Sequence, residues 1–214
     1  MRQDLYLQFL SLNFKRRKSE AKARLIDFID SFQSDGEIRE WVRNFLESGE
    51  HGYQIQYELY ERLIFPELLS GYKRNDAWSV LWLANTVVNL YANPDLHLQI
   101  GNIGERELLS KAFACIPTEE LRERLLFNYL HSFSYCEHDW PAGIVIFDVG
   151  ANEADCNELL AETEVVRTLD DGMHAQYLSK FESRVREWMG RIKNSSQLSG
   201  RQLEDPLPNN MPEA

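Results

Sequence analysis

Apolar side chains return every three or four residues along almost the whole of this chain, and that spacing limits the fold more than any other feature. Ile38, Trp41, Val42, Phe45 and Leu46 build one stripe, and Leu178, Phe181, Val185, Trp188 and Ile192 build another. A period of about 3.6 places such residues on one face of a helix, whereas one face of a strand needs a period of two. The expected class is therefore all-α. The expected architecture is an irregular multi-helix bundle of about seven to nine helices made from helical hairpins, with room for one or two short strands near 144–147 and 164–168.

Local signals place the elements. Ser34 followed by Glu37 has the form of a capping box, and Leu25, Phe28, Ile29 and Phe32 give the preceding helix an apolar face, so the two form a hairpin. Pro66 removes a backbone donor and kinks or restarts the next helix, which is expected to end at Gly71. Asn75 or Asp76 caps a helix over Ala77–Tyr91 that is apolar on nearly all sides and forms the centre of the core, and Asn93–Pro94 stops it. Helices come next at 105–115 and 118–133, then a loop from Ser134 to Gly143 and the apolar run Ile144–Phe147. Asn152 caps a helix containing Leu159 and Leu160, Val165–Val166 is a second β-branched stretch, and Leu178 to Ile192 marks the last helix. One helical domain is expected over 1–193, and 194–214, poor in large apolar side chains, reads as a disordered tail.

The 214 residues carry a formal net charge of -11, which argues against a general duplex-DNA or anionic-membrane binder and leaves room for a small basic patch. Residues 1–33 supply that patch, with seven basic side chains against four acidic ones, four of them consecutive at Lys15, Arg16, Arg17 and Lys18. Four basic residues at a helix junction are most often a solvated face, so nucleic acid is not the expected partner. No apolar run reaches the roughly 20 residues that cross a bilayer. The N-terminal stretch has the wrong charge order for a signal peptide, and three cysteines without framework spacing fit a reducing compartment. The expected location is cytoplasmic, with no membrane partner.

Catalytic motifs are sparse. Phe147-Asp148-Val149-Gly150-Ala151-Asn152 resembles the first cofactor loop of Rossmann-type methyltransferases, and the acidic end of a second strand would then fall near Asp170–Asp171. That resemblance implies a nucleotide-like cofactor held by closely approaching backbone, yet Ala151, Asn152, Glu153 and Ala154 come after Gly150 where further glycines are needed. The 43 residues after Asp171 also leave no room for a doubly wound sheet. His131, Cys136, His138 and Asp139 are near one another without the paired spacing of a zinc site. No nucleophile elbow and no phosphate-binding glycine loop is present. The expectation is a protein with no catalytic residue, no metal, no cofactor and no small-molecule substrate.

One segment stands out by charge. Residues 148–171 hold eight carboxylates, Asp148, Glu153, Asp155, Glu158, Glu162, Glu164, Asp170 and Asp171, against Arg167 alone. Such a concentration steers basic partners and relieves its own repulsion by meeting them. With Tyr135 and Trp140 of the adjoining loop as apolar anchors, these ten residues form the expected partner-binding surface. The expected function is a protein-binding module of the immunity or antitoxin type, which neutralises a basic, nuclease-like bacterial toxin by occluding its active site. A helical scaffold or regulatory adaptor is the alternative, and an enzyme without a recognisable motif is the third reading.

Overall fold

Every regular element among the described residues is a helix, which makes the chain all-α. The computed structural model describes residues 1–49, 54–140 and 150–201. In chain order the elements are α1 (Gln3–Phe14), α2 (Lys18–Ile29), α3 (Asp35–Glu47), α4 (Tyr57–Leu59), a π-helical turn (Tyr60–Ile64), α5 (Phe65–Lys73), α6 (Ala77–Asn85) and α7 (Val87–Tyr91). The remainder are α8 (Pro94–Gln99), α9 (Glu105–Cys115), α10 (Glu119–Asp139), α11 (Glu153–Leu169) and α12 (Ala175–Arg201). The segments outnumber the seven to nine expected because α1 and α8 carry no strong spacing signal and two expected helices are interrupted. The chain divides into two compact units, Met1–Leu121 and Arg122–Ala214. No helix among the described residues is long and apolar enough to cross a membrane.

In the first unit an aromatic cluster joins α1, α2 and α3. Tyr6 lies 5.1 Å from Phe28, Phe28 lies 5.2 Å from Trp41, and Trp41 stacks on Phe45 at 4.8 Å. Ser34 caps α3 by accepting from the Glu37 amide at 3.3 Å, but the return arm of the capping box misses its own N-cap. Glu37 instead accepts from the Gln33 amide and from the N-terminal amine, each at 3.0 Å. Those bonds, the backbone one foremost, hold its carboxyl below the usual range.

Pro66 has the expected effect in an unexpected form. The helix widens into the π-turn at Tyr60–Ile64 just before the proline, and Pro66 then occupies the first turn of α5, where a missing donor costs nothing. The all-apolar helix breaks at Thr86, whose hydroxyl donates to the Trp82 carbonyl at 2.7 Å and lies 3.1 Å from the Tyr60 hydroxyl. Asn89, also buried, holds both backbone groups of Ile55, through Nδ2 to the carbonyl at 2.8 Å and Oδ1 from the amide at 3.3 Å. Buried polar groups need partners, and these two positions supply them inside the core.

Gly71 does not end its helix, which continues to Lys73. A Cβ there would lie 1.9 Å from Ser79 Oγ and 2.5 Å from Ser79 Cβ, so glycine is required by the close approach of α5 to α6. The turn itself is made by Asn75, at φ 57°, and by Asp76, which caps α6 through the Ser79 amide at 3.0 Å and hydroxyl at 2.6 Å.

In the second unit Phe133 of α10 stacks on Phe181 of α12 at 4.3 Å. Residues 134–139, expected in a loop, continue α10, because Tyr129, Phe133, Cys136 and Trp140 extend its buried stripe by steps of four, three and four. The strand expected at 164–168 lies inside α11. There Val166 is buried and Val165 is exposed, and Cys156, Leu159, Thr163, Val166 and Leu169 form the helical stripe that faces inward. The strand expected at 144–147 lies outside the described residues. Helix α12 carries its backbone to Arg201, into the expected tail, and 202–214 lie outside the described residues.

Replacing Gly71 by alanine is expected to destabilise the chain by about 3 kcal/mol, the upper end of ordinary overpacking costs. Gly71→Ala together with Ser79→Gly should recover most of that loss, with urea unfolding as the measurement.

Candidate functional site

Helices α11 and α12 form an antiparallel hairpin, with Glu153 meeting Lys193 at 2.8 Å at one end and Arg167 meeting Glu182 near the other. The expected acidic surface lies on α11, and its carboxylates have separate fates. Asp155 closes a capping box: Asn152 Oδ1 accepts from the Ala154 and Asp155 amides at 2.8 and 3.0 Å, and Asp155 accepts from the Asn152 amide at 3.1 Å. Glu164 lies 3.7 Å from Arg167, and Glu162 is half-buried. Glu158 and Asp171 are exposed and have no ion pair among the described residues. Asp148 lies outside the described residues.

Asp170 is removed from the surface altogether. Its side chain is 3% exposed and accepts from the His174 amide and from Nδ1 of the His174 ring, both at 2.9 Å. Desolvation pushes the carboxyl up, but these bonds and the imidazole's charge outweigh it and hold the group below the usual carboxylate range.

The seven described carboxylates therefore do not make one face. With about 100° of rotation per residue, Glu153 and Glu164 fall on one flank of the exposed arc of α11 and Glu158 on the other. Ala154, Asn157, Ala161 and Val165 lie between them, all exposed. Helix α12 brings a cation to the segment, Lys193 to Glu153. Arg184 pairs with Glu137 at 2.7 Å, and Glu182 draws Arg167 and, at 3.6 Å, Arg186. The Arg167 hydrogen bond is the main cause that keeps the Glu182 carboxyl below its ordinary value.

The two expected anchors part company. Trp140 is 5% exposed, stacks parallel to Trp188 at 5.7 Å and approaches Phe181 at 6.1 Å, so it is a core residue and no surface anchor. Gly150, at φ 79°, is the floor of that stack: a Cβ there would lie 2.9 Å from the Trp140 ring, and Trp188 Nε1 donates to its carbonyl at 2.9 Å. The glycine and Asn152 of the methyltransferase-like segment thus serve a ring contact and a helix cap.

Tyr135 is exposed, on a helix instead of a loop, and does not stand alone. Phe127, 68% exposed, stacks on His131 at 5.6 Å, and His131 meets Tyr135, 56% exposed, edge-on at 4.7 Å. The three rings recur at steps of four along α10 and lie about 180° from its buried stripe of Leu125, Leu126, Tyr129, Phe133 and Cys136. Glu123 occupies the same outward face one turn before Phe127. From the sequence His131 is taken only as a metal candidate and Phe127 is passed over, although the spacing of the two with Tyr135 is visible.

The metal candidates do not converge. Cys136 is buried while His131 and His138 are exposed, and no group of three His, Cys, Asp or Glu side chains suited to a metal occurs among the described residues. Cys156 is fully buried, and burial foremost, then Asp155 and Glu153, push its thiol up, away from nucleophilic use.

Two outcomes distinguish these structural roles from binding roles. Trp140→Ala should cost about 3–5 kcal/mol in urea unfolding, as for other buried aromatics. Because the Asp170 carboxyl is held below its unfolded value, its contribution is fully present above about pH 3.9 and is lost as pH falls through the lower native value. Asp170→Asn should therefore be less stable than the parent at pH 7, with the difference closing below about pH 4 in the same measurement.

No protein-family model matches the chain, and neither does any curated protein or solved structure.

Proposed function

We propose that this chain is a cytoplasmic protein-binding module of the inhibitor type, which captures a basic partner on the outward face of α10. Its support is the uncovered aromatic row Phe127–His131–Tyr135. Rings in contact at i, i+4 on a long helix lose little further freedom on binding, and rigid aromatic side chains are the usual anchors of protein interfaces. Their exposure has no counterpart in the folding of the chain itself, since the opposite face of α10 supplies the packing.

The charge of the partner is inferred from the carboxylates that remain without ion pairs among the described residues. Glu123 lies on the same helix face, and Glu158 and Asp171 are the members of the acidic segment left exposed and unengaged. Lysines and arginines on the partner would meet them, and a bacterial toxin of the nuclease type carries such cations around its substrate phosphates. Capture there blocks the substrate, and complementary charge accelerates the encounter. The surface is smaller and more aromatic than the ten residues expected from sequence.

The test is purification of the tagged full chain from the cells that make it, at graded salt, for the parent and two variants. One basic protein in roughly stoichiometric amount is expected. Phe127→Ala with Tyr135→Ala should remove about 2 kcal/mol or more of binding, a loss of at least roughly thirtyfold. Charge reversal by Glu123→Lys, Glu158→Lys and Asp171→Lys should mainly slow association and abolish its salt dependence. A basic partner bound equally by both variants would sink the proposed face, and several weakly held partners would turn the assignment to an adaptor.

A further inference from the structure

Helix α1 has two apolar faces, and only one is used by the fold. Leu5 and Phe9 are buried, while Leu7, Leu10 and Phe14 are 59%, 44% and 90% exposed. At about 100° per residue these three fall within about 60° of one another and are turned well away from Leu5 and Phe9. They form a ridge, and Phe14 at its end is almost wholly in solvent.

Cations gather at the same end. Arg16, at φ 58°, reverses the chain between α1 and α2, so Lys15, Arg16, Arg17 and Lys18 collect beside Phe14. Arg17 is paired with Glu20, Arg24 with Asp27, Lys22 with Glu58 and Arg2 with Asp4. Lys15, Arg16 and Lys18 are exposed and have no ion pair among the described residues. Arg17 and Lys18 also stand at the N-terminus of α2, where the helix dipole disfavours positive charge. Residues 1–24 hold seven basic side chains against two acidic ones, the reverse of the chain as a whole.

We propose that the Leu7–Leu10–Phe14 ridge and the Lys15–Lys18 cluster together form a docking surface for an anionic phospholipid bilayer. A side-on amphipathic helix presents this combination, with apolar side chains entering the acyl boundary and unpaired cations meeting the headgroups. Two hollows along α1 have charged rims, Glu20, Arg24 and Asp27 on one and Arg2, Asp27 and Asp30 on the other, beside the apolar Leu12, Ala23 and Leu5. A bilayer needs only the exposed arc of α1, since α2 already packs along another side. The surface lies in the first unit and is independent of the α10 face.

The test is co-sedimentation of the full chain with vesicles of phosphatidylcholine alone or with roughly one third phosphatidylserine, at low and high salt. Binding to the anionic vesicles should exceed that to neutral ones roughly tenfold and be lost at high salt. Leu10→Ser with Phe14→Ser, and separately Lys15→Glu, Arg16→Glu and Lys18→Glu, should each abolish it while circular dichroism and the urea midpoint stay unchanged. Phe14→Ala alone is the milder control and should weaken binding severalfold. No sedimentation with the anionic vesicles, or sedimentation that survives both variants, overturns the proposal. Loss of self-association in the variants without any vesicle binding assigns the ridge to a protein contact and overturns it as well.

Discussion

The buried stripe of α11 packs against α12, and the second unit is built on that contact. Cys156, Leu159 and Val166, flanking the hydrogen-bonded Thr163, provide the attraction, with Leu178, Phe181 and Val185 buried on α12. An apolar stripe alone leaves the two helices free to slide by a turn. The pairs Glu153–Lys193 and Arg167–Glu182 stand toward opposite ends of the hairpin and specify one register. The first is half exposed on both sides and contributes little stability. The second is more sheltered, with Glu182 also accepting from Thr163 at 3.2 Å, so breaking it would leave a half-buried carboxylate with only the more distant Arg186. Asp170 and His174 then close the turn that joins the helices, and the positive φ of Gly172 lets the chain reverse there.

The features legible in the sequence are those that depend on neighbours along the chain. The stripes of α3 and α12, the caps at Ser34, Asp76 and Asn152, and the all-α class arise from spacing and local hydrogen bonding. The features that could not be read depend on the partner helix. Gly71 has the look of a helix terminator, and only the distance to Ser79 reveals a packing requirement. Thr86 breaks a helix that its own residues favour because Tyr60, 26 residues earlier, offers its hydroxyl a partner. Val165–Val166 has the local preference of a strand, and the inward row of α11 overrides it.

The candidate site shows the same division. A count of charge along 148–171 sees eight carboxylates and one arginine, but the count is taken in one dimension: Lys193 reaches Glu153 from the next helix, and Glu182 of that helix takes up Arg167. Trp140 and Tyr135, five residues apart, look equivalent in sequence. One completes the buried row of α10 and stacks on Trp188; the other, most of half a turn round the helix, faces solvent.

Exposed apolar side chains are ordinary when scattered, so the weight of Phe127, His131 and Tyr135 comes from their arrangement. An aromatic residue that strays onto a surface has no reason to recur at the helical period or to stack on its neighbour. Three in succession, on the face opposite a complete buried stripe, make α10 amphipathic in neither direction: it is apolar toward the core and aromatic toward solvent. Helix α1 has the same construction, with Leu5 and Phe9 inside and Leu7, Leu10 and Phe14 outside. Charge separates the two. The row on α10 begins beside Glu123 and the ridge on α1 ends among Lys15, Arg16 and Lys18, so one chemistry of burial is offered to two kinds of surface.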